Sequence, residues 1–194
     1  PYPACEYYVT PQYGTYISGE VGANPLLDRR DTNYSTEASG YIGTSGFGEC
    51  RVAVRWDMSF VPVSSTILSA MLGIVPNGPM PVTVSRSLVD MGNMTGTTWN
   101  NFSAGNLWNT AGGLGTADQT YVMTMTTTNG SWNWTNAATL VNGWLNSEYT
   151  NLGVLLSGSP SVQRYTMMSE SNSFAPSLRM AFLPPTPPGT LATP

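Results

Sequence analysis

"CRVAVRWDMSF", residues 50–60, decides the fold class, because apolar side chains occupy every second position. Val52, Val54 and Trp56 fall on one face of an extended chain. The intervening positions, on the opposite face, are Arg51, Ala53, Arg55 and Asp57. A period of two is the pattern of a strand that buries one face. The stretch therefore predicts a β-strand with one side in a core.

Similar short segments lie on both sides of this strand, separated by Gly, Pro and Asn. The segment before it, "EYYVTPQYGTYIS", predicts an early strand with Tyr8, Tyr13 and Ile17, and "STILSAMLGIV" predicts the strand that follows. Further examples are "ASGYIGTSG", "MPVTVSRSLV", "QTYVMTMTTT", "LGVLLSG", "QRYTMMSES" and "PSLRMAFL". About nine short strands with turn residues between them predict an all-β fold, an antiparallel sandwich or jelly roll.

One segment departs from the β pattern. In "TNAATLVNGWLNSE", residues 135–148, the apolar side chains recur at helical spacing: Leu140, Val141, Trp144 and Leu145. Thr135 or Asn136 would cap the start. We expect one short helix near residues 136–146, packed across an end of the sandwich, with its apolar stripe in the core.

The chain divides into one domain, residues 1–183, and an extended tail, residues 184–194. The tail "PPTPPGTLATP" has five prolines, three threonines and no charge, so it lacks both sheet donors and apolar bulk. Such a composition predicts a polyproline-like connector. Eleven residues at ~3.1 Å each reach about 34 Å, the width of a small domain.

The composition excludes several kinds of chemistry. Charged residues make up 9% of the chain, with a net charge of −4, and lysine and histidine are both absent. Without His and Lys there is no Ser/His/Asp triad, no Cys/His pair and no Schiff base. We therefore expect no enzyme, no cofactor and no metal. Without a basic patch to replace phosphate counterions, we also expect no nucleic-acid partner.

The same composition suits a secreted protein. Polar character comes from Thr, Ser, Asn and Gly, and no apolar stretch approaches the ~20 residues of a membrane span. The first residue is Pro1, so we expect a removed signal peptide or a processed piece. We pair Cys5 with Cys50 as a disulfide, with two buried thiols as the alternative. A closed loop of about 45 residues would contribute roughly 4 kcal/mol.

Five sites match the glycosylation pattern Asn-x-Ser/Thr. They are Asn33, Asn93, Asn101, Asn129 and Asn133. If the source is a eukaryote or an archaeon, we expect several to carry glycans, and the last four lie in turn-rich stretches that should be accessible. Thr186, Thr190 and Thr193 are candidates for sugar attachment in the tail.

The order of five segments resembles a known family, the DNRLRE-type extracellular domains. The segments are "DTNYSTEASGYIG" (31–43), "RVAVRWDMSFVPVSSTILSAMLGI" (51–74), "GTTWNN" (96–101), "NAATLVNGWLNSEYTNLGVLL" (136–156) and "MSESNSFAPSLRM" (168–180). The family includes carbohydrate-binding modules reported to act on polyuronates such as alginate. The resemblance implies a jelly-roll β-sandwich in an extracellular setting.

Two sets of residues are candidates for sugar binding. Arg51 or Arg55 could clamp a sugar carboxylate, in a constellation with Asp57 and Glu170; the alternative is an internal ion-pair network. Four tryptophans in Asn-, Gly- and Thr-rich stretches suit sugar stacking, or else plug the ends of the sandwich: Trp99, Trp108, Trp132 and Trp134. We assign Trp56 and Trp144 to the core.

These observations favour a non-catalytic extracellular structural protein. Its partners would be copies of itself, joined head to tail through the terminal segments into a surface fibre or filament. A carbohydrate-binding module of a larger secreted enzyme or adhesin is the alternative, with a glycan or polysaccharide as the partner.

Overall fold

Antiparallel β-strands are the main secondary structure of the described residues. The computed structural model describes residues 5–22, 27–159, 163–167 and 174–185, and gives only the backbone of Cys5 and residues 163–167. Thirteen strands and one α-helix lie in these ranges. They form two main sheets that face each other, with one core between them. The prediction of an all-β antiparallel sandwich with one short helix is confirmed.

The smaller main sheet has four strands. Its order is β1 (Cys5–Val9), β13 (Ser177–Leu183), β5 (Thr66–Ile74) and β10 (Asn133–Asn136). The register places Tyr8 opposite Arg179 and Trp134 opposite Gly73. Because side chains alternate along a strand, the inward positions beside these are Leu178 and Leu72, which are fully buried.

The larger sheet has seven strands. Its main path is β12 (Gln163–Met167), β3 (Ser39–Ser45), β4 (Gly48–Arg55), β11 (Val154–Ser157), β6 (Pro81–Ser87) and β9 (Gln119–Thr126). The seventh strand, β2 (Tyr13–Ser18), pairs with β4. A small hairpin of β7 (Asn101–Ser103) and β8 (Asn106–Leu107) lies apart from both sheets.

The single early strand expected from "EYYVTPQYGTYIS" is instead two strands in different sheets. β1 ends at Val9 and β2 begins at Tyr13, with Pro11 between them. Proline cannot donate a hydrogen bond to a ladder, so the chain leaves one sheet there and enters the other. The period-two pattern identified the strands but not this change of sheet.

The main core lies between the two sheets. Inward side chains of β4, β5, β6, β11 and β13 fill it, including Val52, Val54, Leu72, Val84 and Phe182. Trp56 is buried beside them, and its indole N–H donates to the Pro176 carbonyl at 3.1 Å. The assignment of Trp56 and Trp144 to the core is confirmed, with ring centroids 6.4 Å apart.

The helix α1 (Ala138–Leu145) lies within the range expected for it. Leu140, Val141 and Trp144 are buried against the main core, as the apolar spacing predicted. The cap differs from the expectation, because Ala137 occupies the N-cap position. The Asn136 side-chain oxygen instead accepts the backbone N–H of Ala138 at 2.9 Å.

A second, smaller core covers the outer face of the larger sheet. Residues 88–118, the covering loop, place Met91, Met94 and Trp108 against Ile17 and Ala53. Ala53 is therefore fully buried, although the alternation of β4 put it on the polar face. Both faces of the central strand β4 lie in cores.

One buried carboxylate fixes the end of the covering loop. Asp118 accepts backbone N–H groups from Asn109 and Thr110, both at 2.8 Å, and from Gly115 at 3.2 Å. The Asp118 carbonyl also accepts the N–H of Leu88 at 2.8 Å, which joins the loop's two ends. Because these donors are satisfied internally, the loop can cover the sheet without a regular ladder.

Candidate functional site: an aromatic face on the smaller sheet

The outer face of the four-stranded sheet carries a row of aromatic side chains. Trp132 and Trp134 stack with centroids 4.9 Å apart and an interplanar angle of 19°. Tyr8 meets Trp134 edge-on at 6.4 Å, and Phe174 lies 6.5 Å from Trp132. We call Tyr8, Trp132, Trp134 and Phe174 the aromatic face.

Gly73 determines how the aromatic face lies on the sheet. A Cβ at this position would sit 2.5 Å from ring atoms of Trp134, closer than real Cβ contacts allow. The indole therefore lies directly on the backbone of β5. With a side chain at residue 73, the Trp134 ring could not occupy this position.

The aromatic face remains accessible to a partner. Tyr8 is 63% exposed and Phe174 49% exposed, while Trp132 and Trp134 are partly buried. Exposed aromatic groups placed side by side mark binding surfaces more often than scattered apolar residues do. Among the described residues, the outer face of the larger sheet instead packs against the covering loop.

An ion pair borders the aromatic face. Arg179 contacts Glu6 at 2.6 Å, with both side chains about half exposed, and its guanidinium lies 5.4 Å above the Tyr8 ring centroid. The carboxylate and hydrogen bond of Glu6 raise the pKa of Arg179. Arg179 thus packs over one side of the Tyr8 ring, and its charge is paired with that of Glu6.

The aromatic face is suited to binding. Its exposed rings, Tyr8 and Phe174, with the partly buried Trp132, provide apolar area for a flat or ridged ligand such as a pyranose ring or a row of prolines, whereas Trp134 lies between Trp132 and the Gly73 backbone. Within the described ranges, no three His, Cys, Asp or Glu side chains lie together so as to hold a metal ion. Across the same part of the chain, no helix has the length and apolarity to cross a bilayer.

Two of the four tryptophans predicted for sugar stacking lie elsewhere. Trp108 is 5% exposed, packs in the second core and donates to the Thr98 carbonyl at 2.9 Å. Its prediction as a sugar platform is wrong, because burial removes both ring faces. Trp99 is partly buried, with its indole against Gly19 and Gly112. Both rings hold the covering loop, and only Trp132 and Trp134 belong to the aromatic face.

The arginine clamp is also not assembled. The Arg51 side chain is 6% exposed and bonds Glu49 at 2.7 Å, so its prediction as a sugar ligand is wrong. Arg55 lies 3.4 Å from Asp90 and over the Tyr13 ring at 4.9 Å. Asp57 accepts the Ser59 N–H, which lowers the pKa of Asp57. These three residues serve separate local contacts, and Glu170 lies outside the described residues.

The Asn-x-Ser/Thr sites divide by the accessibility of their amides. Asn93 and Asn129 are exposed in turns, and Asn101 is partly buried. The Asn33 amide nitrogen donates to the carbonyls of Met94 (2.8 Å) and Thr97 (2.7 Å). These two hydrogen bonds hold the segment around Asn33 against the covering loop. A glycan on Asn33 would replace one of these hydrogens.

Asn133 contradicts its predicted accessibility. It begins β10, is 9% exposed, and donates to the Ser131 carbonyl at 2.7 Å. Its side-chain oxygen accepts the N–H of Thr128 at 2.7 Å, so both ends of the amide serve the turn before β10. A glycan on Asn133 would replace a hydrogen on a nitrogen that donates to the carbonyls of Ser131 and Thr128.

The tail threonines and the predicted disulfide involve side chains that the structure does not describe. Thr186, Thr190 and Thr193 lie outside the described residues, as does the Cys5 side chain. Cys50 is fully buried, with its Sγ 3.4 Å from Ser18 Oγ. The Cys5–Cys50 disulfide therefore stays a prediction.

Sequence reasoning missed Tyr8 and Phe174 as parts of a surface. Tyr8 was placed in a strand with Tyr13 and Ile17, but it lies in the other sheet from both. The signal that could have separated them is Pro11. Phe174 precedes β13 in an irregular segment, where no periodicity assigns a face.

No protein-family model matches the chain, and no curated protein matches it. The resemblance to DNRLRE-type domains therefore stays a prediction.

Proposed function

We propose that the chain is a non-catalytic extracellular structural protein, a subunit of a surface fibre or filament that contacts neighbouring copies through its terminal segments. The observation that carries this proposal is a difference between the outer faces of the two sheets. Among the described residues, the covering loop packs on the outer face of the larger sheet, whereas the outer face of the smaller sheet carries the aromatic face, in which Tyr8 and Phe174 are exposed. A surface of this kind is expected to be covered by a partner.

The sequence supports a polymer as that partner. The uncharged, proline-rich tail is suited to reach a neighbour, since about 34 Å spans a small domain. A head-to-tail contact is heterologous, so it builds rings or open filaments rather than a two-fold dimer. The low charge and the resemblance to DNRLRE-type domains support the extracellular setting.

The Cys5–Cys50 disulfide belongs to this proposal. Cys50 alternates with Val52 and Val54 on the inward side of β4, and Cys5 lies opposite Phe182, a residue of the main core. A bond between them would tie the two sheets together. Two reactive thiols on the unreduced, unfolded protein would contradict it.

The oligomeric state of the purified protein tests the proposal. Negative-stain images and a sizing column should show filaments for the full chain. Truncation after Leu183 should leave a folded monomer that no longer polymerises. Normal fibres from the truncated protein would mean that the tail is not the connector.

A carbohydrate-binding module is the second candidate, favoured by the stacked Trp132–Trp134 pair on an exposed face. Affinity electrophoresis in gels with a neutral glucan or with alginate separates the two candidates. Retardation that Trp132→Ala removes, together with a monomeric full chain, would favour carbohydrate binding. Filaments without retardation would favour the structural role.

A further inference from the structure

We propose that the aromatic face is the receptor for the proline segment Pro184–Pro188 of a neighbouring copy, an inference that rests on the proposed function and names its contact surface. Both halves of this contact are in one chain: an aromatic face with two exposed and two partly buried rings, and a segment with four prolines in five residues. Repeated from copy to copy, the contact builds a filament.

The chemistry of the two surfaces matches. Proline-rich segments adopt the polyproline II helix in advance, and proteins bind them in aromatic-lined grooves where rings pack against prolines. The aromatic face has four rings with successive centroid separations of 6.4, 4.9 and 6.5 Å, of which Tyr8 and Phe174 are the most exposed. Because a polyproline II segment is extended before it binds, little conformational entropy is lost on binding.

The tail and the aromatic face are also alike in having no charged side chain. The tail has no ionisable side chain, and the four residues of the aromatic face are uncharged. Arg179, whose guanidinium lies over the Tyr8 ring, forms an ion pair with Glu6. Binding should therefore depend little on salt, unlike the capture of an acidic polysaccharide by basic groups.

The direction of β13 favours a neighbour over the chain's own tail. β13 begins at Ser177, opposite Gly73, on which Trp134 lies, and it ends at Leu183. At ~3.3 Å per residue, the chain leaves the sheet about 20 Å from Ser177. The strand thus leads away from Trp134 and ends four residues, about 13 Å, beyond Arg179, the residue opposite Tyr8.

The tail's sequence opposes a reversal. Pro184, Pro185, Pro187 and Pro188 fix their own φ angles and bias each preceding residue toward extended conformations. In a polyproline II conformation the five residues 184–188 would span ~15 Å at ~3.1 Å each. To reach the aromatic face of its own copy, the chain would have to turn within residues 184–188, where the prolines disfavour a turn.

The test adds a labelled synthetic peptide, "LPPTPPGTLATP" (residues 183–194), to the dilute full-length protein and follows polarisation. We expect saturable binding that changes by less than about twofold between 50 and 300 mM NaCl. A peptide with alanine in place of Pro184, Pro185, Pro187 and Pro188 should not bind.

Matched variants locate the site. Tyr8 and Tyr121 are exposed to nearly the same degree, 63% and 62%, but on different sheets. Tyr8→Ala should weaken peptide binding about tenfold or more, the size of an interface hot spot, and Tyr121→Ala should leave it unchanged within twofold. A photo-crosslinker replacing Pro187 of the peptide should label residues 132–134 of the wild-type protein, so the result does not depend on a variant's folding.

The outcomes separate the inference from the proposed function. Filaments that form equally well with Tyr8→Ala, or crosslinks on the larger sheet, overturn the receptor and leave the fibre proposal standing. A full chain that stays monomeric at every concentration and does not bind the peptide overturns both. A monomer that instead binds a neutral glucan through Trp132 assigns the face to sugar.

Discussion

At the scale of single residues, buried polar side chains organise the irregular parts of the chain. Asp118 accepts three backbone N–H groups of the covering loop, and Asn33 donates to two of its carbonyls. A segment without a ladder must satisfy its backbone groups in another way, and these side chains do so. Their loss should therefore affect the covering loop before the sheets.

Replacement of Asp118 by alanine should lower the free energy of unfolding by about 1–3 kcal/mol, because three backbone N–H groups lose a buried, charged acceptor. Asp90→Ala is the matched control, since Asp90 lies in the same loop with its side chain 66% exposed. Urea titration of both variants measures the difference. Equal midpoints for the two would show that Asp118 does not hold the loop.

Accessibility of the side-chain amides predicts which sites carry glycans. Expressed in a glycosylating host, the protein should gain glycans at Asn93 and Asn129, which are exposed, and none at Asn133. Intact mass of Asn93→Gln, Asn129→Gln and Asn133→Gln measures this. Loss of one glycan with Asn133→Gln would contradict the placement of that side chain.

At the scale of elements, strand β5 joins the main core to the aromatic face. Leu72 points into the core, and Gly73, the next residue, supports the Trp134 ring on the outside. Glycine weakens a strand in itself, so its position in the centre of this sheet needs a reason. The reason is the close approach of the ring.

Gly73→Ala should displace Trp134 and cost about 1–3 kcal/mol of stability, although alanine favours a strand more than glycine does. Gly46→Ala is the control, because a Cβ at residue 46 would meet nothing within 4 Å. Tryptophan fluorescence should change with Gly73→Ala and not with Gly46→Ala. Identical spectra and stabilities would show that Trp134 does not rest on Gly73.

At the scale of the whole molecule, the missing lysine and histidine determine how stability depends on pH. Between about pH 5 and 8 few side chains titrate, so stability should be nearly constant there. Above that range tyrosine becomes the main titrating residue. Burial and the neighbouring Tyr34, stacked at 3.9 Å, raise the pKa of Tyr16 far above its usual value.

The sign of the alkaline effect follows from this shift. Unfolded Tyr16 loses its proton near pH 10, whereas folded Tyr16 keeps it, so the unfolded state binds fewer protons and stability falls as pH rises. Chemical denaturation at pH 8, 9, 10 and 11 should show this fall, and Tyr16→Phe should reduce its slope. An unchanged slope would mean that Tyr16 does not drive the alkaline loss.

Much of the fold and less of the site could be predicted from the sequence. Alternation along residues 52–56 predicted β4, and helical spacing from Leu140 to Trp144 predicted α1, because both patterns are local consequences of backbone geometry. The same alternation misplaced Ala53 on a polar face. The covering loop that buries it begins more than 30 residues later, and no local pattern reports so distant a contact.

The sequence by itself therefore determined the class of fold, the helix, the absence of lysine and histidine chemistry, and the proline-rich segment. Only the tertiary structure decided which tryptophans are surface groups. Trp108 and Trp132 lie in similar Asn- and Gly-rich stretches, yet one is buried under the covering loop and the other stacks on the outer face. The physical reason is that burial depends on what packs against a ring, and strand pairing between distant segments sets that neighbour.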